Sequence, residues 1–105
     1  MDNTFNYSDE RFADIQMLRY RVDGFDGLDA RRKAYVYYLA KATLSGRDIT
    51  TDQYGKYNLV IRKTLETLSC HCVDTDADDF RQMTVYLKRV WFSNGIHHHY
   101  GCEKF

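Results

Sequence analysis

The 105-residue sequence contains no proline, and its basic and acidic residues cancel at 15 of each. Proline is the commonest helix breaker, so its absence favours a chain that is helical throughout. A balanced charge gives no net field to attract nucleic acid or an anionic membrane. No apolar run approaches the roughly 20 residues of a membrane span, and the first four residues do not open a signal peptide. These absences predict a cytoplasmic protein with neither nucleic acid nor a membrane as partner.

Cysteine is scarce, with only Cys70, Cys72 and Cys102 in the chain. An odd number argues against a disulfide framework, and Cys70 and Cys72 are too close in sequence to bridge comfortably. We therefore expect reduced thiols in a reducing compartment.

Glutamate is also scarce, and no glutamate follows a histidine. A zinc-protease helix needs His-Glu-x-x-His, which puts two imidazoles on one face and a glutamate base between them. No other arrangement offers a nucleophile together with an oriented base. The sequence therefore predicts no catalytic residue, no metal ligand and no cofactor within this chain.

Four stretches have the apolar spacing of amphipathic helices. The first starts at Ser8–Glu10, where a capping side chain and two acids suit a helix N-terminus, and ends at Gly24. The second is predicted over Ala30 to Ser45, with Asp29 as its N-cap. The third is predicted from Lys56 to about His71.

The fourth helix follows an acidic turn at Asp74 to Asp79, whose Asp and Thr side chains are expected to cap it. It is expected to stop at Asn94-Gly95, where glycine can adopt a left-handed conformation. Residues 47–55 are expected to form a structured turn. The predicted inward-facing residues of the four helices are Phe12, Ile15, Leu18 and Val22; Tyr35, Tyr38, Leu39 and Ala42; Tyr57, Ile61, Leu65 and Leu68; and Phe80, Met83, Leu87, Val90 and Trp91.

These elements predict an all-α fold, with about four helices in a small bundle and no internal domain boundary. The chain ends at Phe105 within its most chemically varied segment, whereas chain ends are usually polar. We therefore expect a fragment of a larger protein.

Three consecutive histidines, His97 to His99, invite a metal-site interpretation. Consecutive side chains point in different directions, so all three cannot easily bind one ion. His97 and His99 could share a side with Cys102 nearby, and Cys70-His71-Cys72 could add thiolates. A small metal or redox module therefore stays an alternative, as does a free-standing helical protein-interaction module.

Three segments of the chain resemble a known family. They run from Tyr37 through Ile49, from Asp52 to Asn58, and from Tyr86 to Gly101, the last reading Tyr-Leu-Lys-Arg-Val-Trp-Phe-Ser-Asn-Gly-Ile-His-His-His-Tyr-Gly. Together they resemble the N-terminal part of bacterial dipeptidyl peptidase III, in the form found in Bacteroides-type organisms. The likeness runs from about Phe5 to Phe105, and the last segment is its most specific part.

The resemblance implies a two-lobed zinc exopeptidase that releases dipeptides from the N-termini of short peptides. In that family the zinc helix reads His-Glu-x-x-x-His, and a further glutamate ligand lies downstream, in the lobe that follows this part of the chain. Residues 1–105 would then be one helical N-terminal segment of the first lobe, inactive by itself. Zinc would belong to the parent enzyme, and the partners would be the remainder of that enzyme and its peptide substrate.

The resemblance also implies three substrate-binding residues. Eukaryotic members carry Ser-Asn-x-Gly-Asn-Tyr-x-Ser-Phe-Gly-Asp-x-Lys-Phe at the matching place, beside the substrate cleft. Matched from the right, Tyr100 falls on the cleft-facing phenylalanine; matched from the left, Ser93 and Asn94 coincide, and this chain is one residue shorter between the two anchors. Tyr100, His99 and Asn94 are therefore expected to border the site for the peptide's N-terminal residues.

Overall fold

The computed structural model describes residues 4–105, which form a two-stranded sheet followed by four helices. The polar leader predicted from Asp2 to Tyr7 lies partly outside these residues. The chain divides into two compact units, one ending at Ser45 and the other running from Gly46 to Phe105. That residues 1–105 act as a single segment of a larger lobe stays a prediction.

The first unit opens with an antiparallel hairpin made of β1 (Ser8–Phe12) and β2 (Ile15–Leu18). A two-residue loop joins the strands, and its first residue, Ala13, has a φ of 50°. Tight hairpin loops need such positive φ values, because the resulting twist matches that of the strands. The register shifts between Ser8 and Arg11, as a bulge in β1 would produce.

This hairpin overturns the prediction of an all-α fold, and the chain is mixed α/β. The helix predicted from Ser8 to Gly24 rested partly on the spacing between Phe12 and Ile15, which are neighbours on a helix face. They are also neighbours across a two-residue hairpin loop, where the structure pairs them and buries both. Over so short a stretch the apolar spacing fits both structures, and the loop carries no Asn-Gly signal to decide between them.

The first unit ends with α1 (Ala30–Ser45), whose bounds confirm the predicted second helix. Asp29 caps it as predicted, because its Oδ1 accepts the Arg32 backbone N–H at 2.8 Å. The predicted inward face is wrong, since α1 has no buried residue. Tyr35 is 68% exposed and Tyr38 is 66% exposed.

The second unit contains α2 (Arg47–Gln53), α3 (Asn58–His71) and α4 (Asp78–Ser93). The third and fourth predicted helices are confirmed, with α3 starting two residues later than expected. The turn predicted over 47–55 is mostly helix instead. There the Thr50 and Thr51 hydroxyls donate to the backbone carbonyls four residues earlier, each at 3.1 Å, so side chains typical of turns are accommodated within a helix.

Helix α4 stops where predicted, at Asn94-Gly95, but its N-cap and the residue in the left-handed conformation differ from the prediction. Its N-cap is Ala77, which makes no side-chain capping hydrogen bond, although two acids stand in the first turn. At the other end Asn94, not Gly95, takes the left-handed conformation, with a φ of 54°. Asparagine tolerates this conformation better than most residues, and the Gly95 N–H then donates to the Val90 carbonyl at 3.1 Å.

The interior of the second unit combines two apolar residues with four polar ones. Leu87 and Val90 of α4 are buried, together with Thr51, Asn58, Arg62 and Ser93. Helix α3 packs against both α2 and α4. Buried polar groups need partners, so this interior depends on hydrogen bonds as well as on apolar packing. Across residues 4–105, the helices fall short of the length and apolar character that crossing a membrane requires.

Candidate functional site

The segment from Asn94 to Phe105, which we call the histidine loop, folds back on itself after α4. The His98 N–H donates to the Glu103 carbonyl at 2.8 Å, and the Phe105 N–H donates to the Ile96 carbonyl at 3.0 Å. Between these bonds, His97 and Lys104 form an antiparallel bridge. The loop therefore has two paired arms, and residues 99–102 form its tip.

The histidine loop is attached to both long helices of the second unit. From α3, Asn58 Oδ1 accepts the Ile96 backbone N–H at 3.5 Å. From α4, Tyr86 contacts the Phe105 ring edge-on, with ring centres 6.4 Å apart. The Arg89 guanidinium lies 4.9 Å from the centre of the same Phe105 ring, within the range of a cation–π interaction. These contacts hold the loop's two arms against a helical base.

A row of aromatic rings, which we call the ring row, follows the histidine loop and consists of Phe92, His98, His99 and Tyr100. His98 and His99 are stacked with ring centres 4.4 Å apart, and His99 meets Phe92 edge-on at 4.8 Å. The Tyr100 ring lies 4.5 Å from His99 and is 91% exposed. Such rings can contact an apolar or aromatic group of a ligand. The structure therefore places two of the expected substrate-binding residues, Tyr100 and His99, side by side.

The third expected residue, Asn94, lines a different space. It borders a cavity of about 390 Å³ together with Arg47, Thr51, Arg62 and Trp91. His99 borders another cavity, of about 350 Å³, beneath the histidine loop. A common binding role for Tyr100, His99 and Asn94 stays a prediction.

We call the second of these spaces the loop cavity. Its lining residues are Tyr54, Asn58, Ser93, Gly95, His97, His98, His99, Gly101 and Cys102. Asn58 is only 3% exposed and Ser93 only 4% exposed. Asn58 Nδ2 and Ser93 Oγ are buried and have no hydrogen-bond partner among the described residues. The loop cavity is therefore lined by two residues whose buried polar atoms lack a hydrogen-bond partner.

Sequence reasoning assigned no role to Asn58 or Ser93. The available signal is the pair of glycines that flank Asn58 in space. A Cβ at Gly55 would lie 2.9 Å from Asn58 Nδ2, and a Cβ at Gly95 would overlap with the same atom. Only glycine leaves room for the Asn58 amide at both places. The sequence predicts Gly95 only as a helix stop, and it does not reveal that the Asn58 amide needs the space beside this glycine.

The metal-site alternative has no ligand set in the described part of the chain. Within residues 4–105, no group of three or more His, Cys, Asp or Glu side chains is arranged to hold a metal ion. Cys70, Cys72 and Cys102 are all free and exposed. The residues present therefore do not fit a zinc centre, and we assign no chemical step to a metal here.

A network of charged and polar side chains connects the three helices of the second unit. The buried Arg62 donates to Asp48, with which it also forms an ion pair, and to Thr51 Oγ1 at 2.8 Å. Arg62 Nε lies 3.4 Å from Glu66 Oε1, the oxygen that accepts the Trp91 indole N–H at 2.8 Å. The network therefore connects α2, α3 and α4 through side chains.

Asp48 makes this network sensitive to acid. The hydrogen bond from Arg62 lowers the pKa of the Asp48 carboxyl below its ordinary value, with Lys63 adding to the effect. A lowered folded-state pKa stabilises the fold above the unfolded pKa of about 4, and this contribution is lost as the pH falls through the folded-state value. We expect Asp48→Asn to be less stable than the unmodified chain at pH 7, with the difference shrinking below about pH 4. Urea unfolding of both proteins across this range measures it, and a difference that stays constant would contradict the assignment.

Searches against known protein families and against curated proteins found no match for this chain.

Proposed function

We propose that this chain forms the N-terminal part of a dipeptidyl peptidase III-like exopeptidase and contributes a wall of its peptide-binding cleft. The supporting observation is the histidine loop, which carries the most specific part of the resemblance and presents Tyr100 at its tip, 91% exposed. Functional residues are often held on loops above a rigid scaffold, as this loop is held above α3 and α4. The chain contributes binding surface, and the zinc chemistry belongs to the rest of the parent enzyme.

In this proposal the ring row contacts the N-terminal residues of the peptide substrate. Tyr100 and His99 would bury an apolar side chain of the peptide against their rings. Asn94 borders the neighbouring cavity and would contribute at the edge of the site. We further propose that the parent enzyme is cytoplasmic, with the remainder of the enzyme and its peptide substrate as the partners of this chain.

The protein as it occurs in its source cells tests the proposal directly. An antibody raised against this chain should capture a protein several times larger than 12.5 kDa. The captured protein should contain zinc and release dipeptides from peptide N-termini, whereas the 105-residue chain alone should not. A captured protein of the size of this chain, without peptidase activity, would overturn the proposal.

Tyr100→Ala tests the role of the ring row in the intact enzyme. Loss of one apolar contact is expected to raise KM for dipeptidyl substrates by about 10-fold, with a smaller change in kcat. Tyr100→Phe keeps the ring, so its KM should be close to that of the unmodified enzyme. Tyr20→Ala, at a 75% exposed tyrosine of the first unit, is the matched control. Unchanged KM and kcat in Tyr100→Ala would show that Tyr100 does not contact the substrate.

A protein-interaction module is the second candidate, and the surface of α1 fits both candidates, since it would contact a partner protein in a module and the remainder of the enzyme in a fragment. Tyr35, Tyr38 and Leu39 are all more than half exposed on a helix without a buried residue. Exposed apolar surface of this kind marks a surface that contacts another protein segment. The antibody capture experiment distinguishes the two candidates. A module would be captured as a protein of about 12.5 kDa, bound to a partner and without activity on peptides.

A further inference from the structure

We propose that the groove between the end of α3 and the start of α4 binds a basic amphipathic helix of a partner protein, which inserts apolar side chains into it. We call this space the α3–α4 groove. The inference goes beyond the proposed function and does not rest on it. The groove shares no lining residue with the ring row or with the loop cavity.

The first step is the apolar floor of the groove. Leu68 of α3 lines it together with Ala77, Phe80 and Met83 at the start of α4, and its volume is about 410 Å³. Leu68 is 52% exposed, although α3 packs against α4. An exposed apolar surface with a polar border marks a place where another molecule binds. Methionine is common at such surfaces, because its flexible thioether adapts to the side chains of a partner.

The second step is the negative charge around the floor. Asp74 and Asp79 line the groove, and Asp76 and Asp78 lie between them in the sequence. Among residues 4–105, none of these four carboxylates forms an ion pair. The nearest Lys or Arg in the sequence, Arg81, donates to the Asp76 backbone carbonyl at 2.8 Å instead. The groove therefore combines an apolar floor with acidic side chains that the described part of the chain does not pair with a cation.

This charge selects the partner. Carboxylates around an apolar floor attract Lys and Arg side chains, and they repel fatty acids, nucleic acid and anionic membranes. A basic amphipathic helix carries an apolar stripe between such side chains. Insertion of an amphipathic helix into an apolar groove is a common form of recognition between proteins. A helix of this kind therefore matches both the floor and the border of the groove.

The extent of the groove limits how much of the partner enters it. Leu68 and His71 lie one turn apart on α3, and Phe80 and Met83 lie one turn apart on α4. Apolar side chains three or four positions apart on a helix are neighbours, so one turn of the partner can place two of them on this floor. A small number of buried anchors is typical of protein interfaces.

The polar side chains that α3 contributes to the lining are already bonded within the helix. The Thr67 hydroxyl donates to the Lys63 carbonyl at 2.8 Å, and His71 Nδ1 donates to the Thr67 carbonyl at 2.8 Å. Apolar contact and the surrounding carboxylates are therefore the features that a partner would use.

The experiment uses the full 105-residue chain with ¹³C-labelled methionine methyl groups. The probe is a synthetic amidated peptide of about 14 residues, long enough to form a helix, with leucines at helical spacing and lysine or alanine elsewhere. Met83 lines the groove, whereas Met17 lies in β2 and is the internal control. Nuclear magnetic resonance should show a saturable shift of the Met83 methyl signal and no shift at Met17.

Leu68→Ala tests the floor and should weaken binding about fivefold, as expected for the loss of one apolar contact. Val60→Ala on the same helix is the matched control, since Val60 is 65% exposed and does not line the groove. Both side chains are exposed, so both variants should fold. Equal binding by Leu68→Ala and Val60→Ala would overturn the groove as the site.

The double variant Asp74→Asn with Asp79→Asn tests the charge. Asparagine keeps an oxygen that can accept the Asp76 N–H, as Asp74 Oδ1 does. The double variant should bind the probe about fivefold more weakly at low salt, and the difference should shrink at high salt because exposed charges are screened. Asp52→Asn in α2 is the matched control and should bind as the unmodified chain does.

Two further peptides test the chemistry of the partner. A peptide with glutamate in place of every lysine should bind at least about tenfold more weakly, and so should a peptide of the original composition whose leucines do not share a helix face. Equal binding of the acidic peptide would overturn the basic partner, and equal binding of the rearranged peptide would overturn insertion into the groove. A Met83 signal that no peptide shifts would overturn the whole proposal. None of these outcomes depends on peptidase activity.

Discussion

Arg62→Ala is expected to lower the free energy of unfolding of the second unit by about 3–5 kcal/mol. Arg62 is only 1% exposed, so alanine would leave a large cavity between α2 and α3. Its guanidinium also bonds Asp48 and Thr51 Oγ1, so each of these groups would lose one of its hydrogen bonds. A unit of about 60 residues has a total stability of about 3–9 kcal/mol. The loss is therefore at least about a third of that stability, and the variant is expected to unfold at a clearly lower urea concentration than the unmodified chain.

Two further variants separate the packing of Arg62 from its charge. Arg62→Met keeps most of the aliphatic stem and removes the ion pairs, and we expect a loss of about 1–2 kcal/mol. The loss is smaller than in Arg62→Ala because methionine fills most of the space that alanine would leave empty. Arg62→Lys keeps a positive charge but lacks the several N–H donors of the guanidinium. Its free energy of unfolding should lie between those of Arg62→Ala and the unmodified chain.

Trp91 makes these losses measurable, since it is the single tryptophan of the chain and belongs to the same network. Its fluorescence during urea unfolding reports on the second unit. Equal losses in Arg62→Ala and Arg62→Met would show that the buried stem contributes nothing. A loss below about 1 kcal/mol in Arg62→Ala would show that the network is not structural.

Leu87→Ala is expected to lower the stability of the same unit by about 2–5 kcal/mol. Leu87 is 1% exposed and belongs to an interior in which only Leu87 and Val90 are fully buried apolar residues of the described second unit. Deleting its side chain removes apolar contacts and leaves a cavity that the surrounding helices cannot fully close. Because so few apolar residues are fully buried, the loss takes a large share of the apolar stabilisation.

Leu68→Ala on α3 is the matched control, because Leu68 is 52% exposed. It should cost less than about 1 kcal/mol. Trp91 fluorescence and far-ultraviolet circular dichroism, followed together during urea unfolding, measure both variants. Similar losses at Leu87 and Leu68 would contradict the assignment of Leu87 to the core.

The long helices were predictable because their signals are local and repeated. Asp29 supplies a capping side chain for α1, and the backbone N–H of Arg32, three residues later, donates to it as the pattern predicts. Helices α3 and α4 each extend over several turns, so any apolar spacing other than the helical one would conflict with the residues at many positions. The hairpin extends over eleven residues, and the Phe12–Ile15 contact satisfies a helix and a tight loop equally well.

The site was only partly predictable, for a different reason. Tyr100 and His99 are neighbours in sequence, and the structure keeps their rings together. Asn58 and Ser93 are far apart in sequence and line the same cavity, over which the histidine loop returns to α3. No local pattern marks such a pair, since a buried asparagine and a buried serine look like ordinary polar residues until their neighbours are known.

The sequence by itself determined the positions of α1, α3 and α4, the absence of a zinc-protease motif, and the histidine run that follows the last long helix. These features depend on residue identity and on spacing over a few turns, which a single chain displays directly. Only the tertiary structure decided the hairpin, the burial of Arg62 and the loop cavity around Asn58. These depend on which distant residues exclude water from one another, and that is set by the packing of α2, α3, α4 and the histidine loop.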